Sequence, residues 1–137
     1  MKILGVDYGR KRIGLAVVDT AVPVSLPLRS IPGGDIGASA KAIAAAAAEE
    51  AAEKIVVGVP RRLSGQGEPG DIERDVAALI ESLKAETKAA IDTEDERLTT
   101  AMVERQRRES GLPKERFDKD AAAAAALLET YLARRPE

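Results

Sequence analysis

The chain has 137 residues, 45% hydrophobic, 32% charged and 2% aromatic, with a formal net charge of −2 and neither cysteine nor histidine. That length fits one domain, 1–137, able to bury about two-thirds of its unfolded surface without staples. The missing cysteines exclude disulfides, thiolate zinc sites and thiol nucleophiles, and the missing histidines exclude Ser-His triads and His-based metal sites. Acid–base or metal chemistry therefore falls to carboxylates. The longest aliphatic runs, Ala42–Ala48 and Ala121–Leu128, are far short of the ~18 residues of a membrane span, and Asp7 interrupts any N-terminal signal stretch. The expectation is a cytoplasmic protein with no membrane partner.

Lys2–Tyr8 and Arg12–Asp19 read as strands joined at Gly9–Lys11, a hairpin. Pro23, Pro27 and Pro32 punctuate the next stretch and leave room for a short third strand around Leu28–Ile31. Asp35 precedes an alanine-rich helix running to about Ala52. Ile55–Val59, a continuous β-branched run, is the pattern of a strand buried on both faces. Pro60–Gly70 reads as a loop. Helix resumes near Asp71, with Ile72, Val76, Leu79, Ile80 and Leu83 spaced for one buried face. A weak strand near Ala89–Glu94 precedes two helices, about Thr100–Ser110 and Asp118–Arg134, parted by Gly111 and Pro113. Strands alternating with helices after an initial meander predict an α/β fold with a mixed sheet. Alanine supplies 25 residues, so the hydrophobic share overstates the core. Alanine favours helix and lets helices approach a sheet closely but buries little area, and the runs at Ala44–Ala48 and Ala121–Ala126 read as helix filler.

Three acidic positions stand out. Asp7 ends an apolar strand, where its residue type is disfavoured; turn formation is the competing explanation. Glu96 follows Asp92, Glu94 and Asp95, a run that repels itself unless something cationic compensates. Asp120 lies in the first turn of the last helix, where an acid is also favoured by the macrodipole, and Asp118 reads as its N-cap. Together they place carboxylates at the C-terminal ends of two strands and the start of a helix, the end of an α/β sheet where sites are usually found. Oxygen-only ligands suit Mg²⁺ or Mn²⁺, and pairs of such ions suit phosphodiester hydrolysis. Basic clusters at Arg10–Arg12, Arg61–Arg62 and Arg105–Arg108 are read either as solvated surface or as phosphate contacts.

The segments ILGVDYGRKRIGLAVVD (Ile3–Asp19), IVVGVP (Ile55–Pro60), DERLTT (Asp95–Thr100) and DAAAAAALLETYL (Asp120–Leu132), in that order, resemble the YqgF/RuvX family of pre-16S rRNA nucleases, whose RNase H-like fold is related to Holliday junction resolvases. The resemblance covers nearly the whole chain. It implies a five-stranded mixed sheet, with its first three strands antiparallel, flanked by helices. It also implies a two-metal carboxylate site with Asp7, Glu96 and Asp120 as catalytic and metal-binding residues, Asp118 being a rival for the third place. Arg12 and Arg97 fall on positions able to meet phosphate. Where the family continues after VGVP with an apolar residue and Asn, this chain has Arg61 and Arg62, a pair suited to a nucleic-acid backbone. The implied function is metal-dependent processing of the 5′ end of pre-16S rRNA, with RNA or a ribosomal precursor particle as partner and the protein a monomer or homodimer. A Holliday junction-type DNA nuclease and a non-catalytic ribosome-assembly factor are the alternatives. The Asp7-Tyr-Gly turn also resembles the phosphate loop of actin-like ATPases, which need two such domains.

Overall fold

A computed structural model describes residues 1–59, 70–95 and 99–134. β1 (Lys2–Asp7), β2 (Arg12–Asp19) and β3 (Val22–Pro32) form an antiparallel meander. α1 (Ile36–Glu50), β4 (Ala52–Val59), α2 (Asp71–Glu86), β5 (Ala90–Asp95), α3 (Thr99–Ser110) and α4 (Lys119–Arg134) follow, with a short 3₁₀ turn at Lys114–Arg116 before α4. The five strands lie in the order β3-β2-β1-β4-β5. β4 is parallel to β1 and β5 is parallel to β4, so the sheet is mixed, with its first three strands antiparallel as expected.

The β-branched runs explain the layering. On β4, Ile55 and Val57 enter one core with Leu4, Val6, Ile13 and Leu15, and this face is covered by α1 and α2. Val56 points the other way, into a second core with Ile3, Ala16 and Val18 under α4. All three β4 residues are fully buried, the outcome expected of a strand covered on both sides. α3 lies outside, packed on α4.

Several boundaries differ from the sequence expectation. β3 spans eleven residues rather than four. Its prolines are tolerated because it is an edge strand, where a missing N–H costs no ladder bond. α1, capped by Asp35 through Ala38 N at 3.0 Å, stops at Glu50. Ala51 turns left-handed at φ 57° and β4 begins at once. On α2 the buried stripe starts a turn late: Val76, Leu79 and Leu83 are buried, whereas Ile72 is 44% exposed. The expected loop Pro60–Gly70 lies, up to residue 69, outside the described residues. No helix among the described residues is long and apolar enough to cross a membrane.

The alanine run of α4 is more than filler. Ala121, Ala122, Ala124, Ala125 and Ala126 are all buried, and they let the helix lie close against the glycines of β1 and β2. A Cβ on Gly5 would sit 2.6 Å from Leu128 Cγ, and one on Gly14 would coincide with the Asp120 carbonyl. Small side chains on both surfaces thus bring the first turn of α4 onto the sheet.

Candidate active site

Asp7 is the last residue of β1 and pairs with Gly14 of β2. Because Gly14 offers no side chain, the backbone of Asp120 rests directly on it. That contact sets the Asp120 carboxylate beside Asp7, close enough for its charge to act on it. Burial, and after it the neighbouring Asp120, push the Asp7 carboxyl up to about 7. Asp120 in turn accepts a hydrogen bond at 2.9 Å from Arg12 Nε at the start of β2. The Arg12 side chain is 61% exposed, so this pair is held weakly and can be exchanged.

Asp118 does something else. Its Oδ1 accepts from Ala121 N at 3.0 Å, capping α4, and from the Ser30 hydroxyl on β3 at 2.6 Å. It anchors the helix start to the sheet edge, while Asp120 is the acid turned toward Asp7. Gly14, which permits the approach, belongs in the sequence to the stretch that resembles an actin-like phosphate loop, and its part as a packing position shows only in the fold. A glycine inside an otherwise apolar strand was the signal available for it.

Glu96, Arg97, Arg61 and Arg62 lie outside the described residues. Asp95, which precedes Glu96, ends β5, whose carboxyl end lies at the same end of the sheet as Asp7. Among the described residues no three carboxylates form a metal-binding cluster. The two that converge, Asp7 and Asp120, nevertheless fit a divalent cation: both are hard oxygen donors, and one is partly desolvated beside the other's charge, a pair that gains from added positive charge.

The acidic run on β5 finds its compensation. Asp92 accepts from the buried Tyr131 hydroxyl at 2.8 Å, and Lys54 Nζ donates to that same hydroxyl at 3.0 Å. Arg134 reaches Glu94 at 3.3 Å. These cations and Tyr131 tie α4 to β4 and β5 at the opposite end from Asp120. The β1–β2 turn is clamped as well, Tyr8 and Arg10 donating to Asp75 of α2 at 3.3 and 2.8 Å. Arg107 of the third basic cluster binds Glu104 one turn away, at 3.0 Å from Nε.

A cleft of about 920 Å³ opens beside Asp120, walled by Arg12 and Ser30 of the sheet, by α3 and by the segment leading into α4.

Comparison with known proteins gives the family and the fold. The family described as RuvX, Holliday junction resolvase, matches residues 1–134. The chain belongs to that family. A protein of Chloroflexus aggregans named "Putative pre-16S rRNA nuclease" is 32% identical over 132 residues, covering 95% of this chain and 92% of its own. One of Endomicrobium trichonymphae with the same name is 33% identical, covering 96% and 94%. The Holliday junction resolvase of Fowlpox virus, solved with its DNA substrate, aligns over the full length of both chains with a TM-score of 0.63 at 12% identity. At that identity the likeness shows a shared RNase H-like resolvase fold. The family and the fold are thus those expected from the four motifs.

Proposed function

We propose that this protein is a metal-dependent nuclease that hydrolyses phosphodiester bonds of RNA, with the 5′ end of pre-16S rRNA as its substrate. The observation that carries the chemistry is the Asp7–Asp120 pair held across Gly14. The substrate rests on the relatives named for pre-16S rRNA. Asp7 and Asp120, with Glu96 as the third carboxylate, would hold Mg²⁺ or Mn²⁺. When bound, such ions supply an activated water and stabilise the departing oxygen of the phosphodiester.

The protein's own residues prepare that step. Asp7, fixed at a strand end and partly desolvated, presents a carboxylate that gains most from a cation. Asp120 is aimed by the capped first turn of α4, and Asp118 and Ser30 keep that turn in place. Arg12 would be able to turn from Asp120 to the substrate phosphate, because an exposed ion pair of this kind holds less than about 1 kcal/mol. Arg97, Arg61 and Arg62 add phosphate contacts. A purely scaffolding role in ribosome assembly gives no reason to hold two like charges together at a cost in stability.

Cleavage of a pre-16S 5′-leader fragment with Mn²⁺, with Mn²⁺ plus EDTA, and with the variants Asp120→Asn and Asp118→Asn tests this. Activity should require metal, fall to background in Asp120→Asn, and persist in Asp118→Asn. Cleavage that survives chelation rejects the mechanism. A four-way DNA junction in the same assay decides the alternative substrate, since preferential cutting of the junction overturns the RNA assignment.

A further inference from the structure

The cleft beside Asp120 runs from that carboxylate along α3 and the segment leading into α4. On the side away from the sheet it is lined by Val103 and Arg107 of α3, Lys114 of the 3₁₀ turn, Phe117, and Lys119 and Ala123 of α4. Phe117 is the chain's one phenylalanine and is only partly buried. The other two aromatic residues are committed elsewhere: Tyr131 is 2% exposed, and the Tyr8 hydroxyl donates to Asp75. Phe117 is thus the aromatic ring that lines the cleft leading to the carboxylates.

The charge around it is mixed. Arg107 is held by Glu104, and Glu115 also lines the wall. Lys114 and Lys119 make no ion pair among the described residues. A groove that tracks a duplex backbone typically neutralises several successive phosphates with Lys and Arg. A cleft wall that combines one ring, apolar Val103 and Ala123, and two lysines matches instead one unpaired base and its phosphate. Base–aromatic stacking needs a free π-face, which a paired and stacked base does not offer.

We propose that this cleft is a subsite for an unpaired nucleotide flanking the scissile phosphate, its base stacked on Phe117 and its phosphate met by Lys114 or Lys119. This rests on the nuclease reading and narrows its substrate to strands with a single-stranded segment next to the cut.

The test uses a hairpin RNA with a single-stranded tail of about six nucleotides, the same hairpin blunt-ended, and a series with one abasic site stepped along the tail. Fluorescence anisotropy in EDTA reads binding without chemistry. On the wild-type protein, loss of the tail, or an abasic site at one tail position, should weaken binding roughly tenfold, the worth of one stacked base. Phe117→Ala should show the same loss with the intact tail and no further loss at that abasic position, and Phe117→Trp should restore it. Equal wild-type affinity for tailed and blunt hairpins overturns the subsite, as do additive losses from Phe117→Ala and the abasic site. Cleavage of the same RNAs with Mn²⁺ separates the two readings. A protein that discriminates tails yet cuts none refutes the nuclease and keeps the subsite. One that cuts tailed and blunt RNAs alike refutes the subsite and keeps the nuclease.

Discussion

Replacing Asp7 with Asn sets site chemistry against fold stability, and the sign follows from the site. The Asp7 carboxyl is raised from an ordinary 3.8 to about 7 in the folded chain, first by burial and then by Asp120. A group that holds its proton more tightly when folded stabilises the fold fully at low pH. That contribution is lost as pH climbs from about 4 to about 7. At ~1.4 kcal/mol per pH unit the loss is at most about 4 kcal/mol. Screening by water at the partly exposed side chain reduces the expected effect to about 2 kcal/mol. Asn keeps the shape and carries no charge. In metal-free buffer at pH 8 the Asp7→Asn protein should therefore be more stable by about 2 kcal/mol, a rise of roughly 8 °C in Tm for a chain of this size. At pH 4 the two should coincide. Mg²⁺ should then raise the wild-type Tm at pH 8 and leave the variant unmoved, because ligand binding to the native state alone adds stability. Urea and thermal melts at both pH values, with EDTA or Mg²⁺, give all four comparisons. A variant less stable than wild type at pH 8, or a gap of equal size at both pH values, would refute the reasoning and return Asp7 to the role of a turn former.

Gly14→Ala should cost about 3 kcal/mol, the upper range of overpacking, because the new methyl meets helix backbone rather than a movable side chain. It should also abolish Mn²⁺ binding measured by calorimetry; unchanged stability together with intact Mn²⁺ affinity would show that α4 does not depend on this contact. Arg61→Ala with Arg62→Ala should lower the slope of log affinity against log salt by roughly 1.4 for single-stranded RNA, and an unchanged slope places both arginines on solvated surface.

How much of this was legible in the sequence varied by element. β1, β2 and β4 were plain, because Ile3, Leu4, Ile13, Leu15 and Ile55–Val57 must be removed from water and their β-branched or aliphatic runs are too short for helices. β3 is longer than its prolines suggest, because proline breaks strands in general but is tolerated on an edge strand. The 3₁₀ turn at Lys114–Arg116 had no local periodicity to announce it. Asp118 was read as a cap from local chemistry alone and caps α4. The meeting of Asp7 with Asp120 is a different matter. No period or spacing connects the two residues; family motifs suggested it, and Gly14 and the buried alanines supply its physical cause. That alanine lets a helix approach a sheet closely is legible from composition; that α4 does so over Gly5 and Gly14 is not, because no local pattern pairs a helix with the strands it covers.

The Arg12–Asp120 bond joins residues 108 positions apart, and Asp7 sits still nearer the start of the chain. Contacts of that span are slow to form, because a long loop must close before any energy is returned. Until α4 docks, Ile3, Ala16, Val18 and Val56 have no cover on their side of the sheet, so a chain still being synthesised can neither finish its second core nor assemble its carboxylates. The meeting of Asp7 with Asp120 is thus an event of helix docking, whatever order the strands form in.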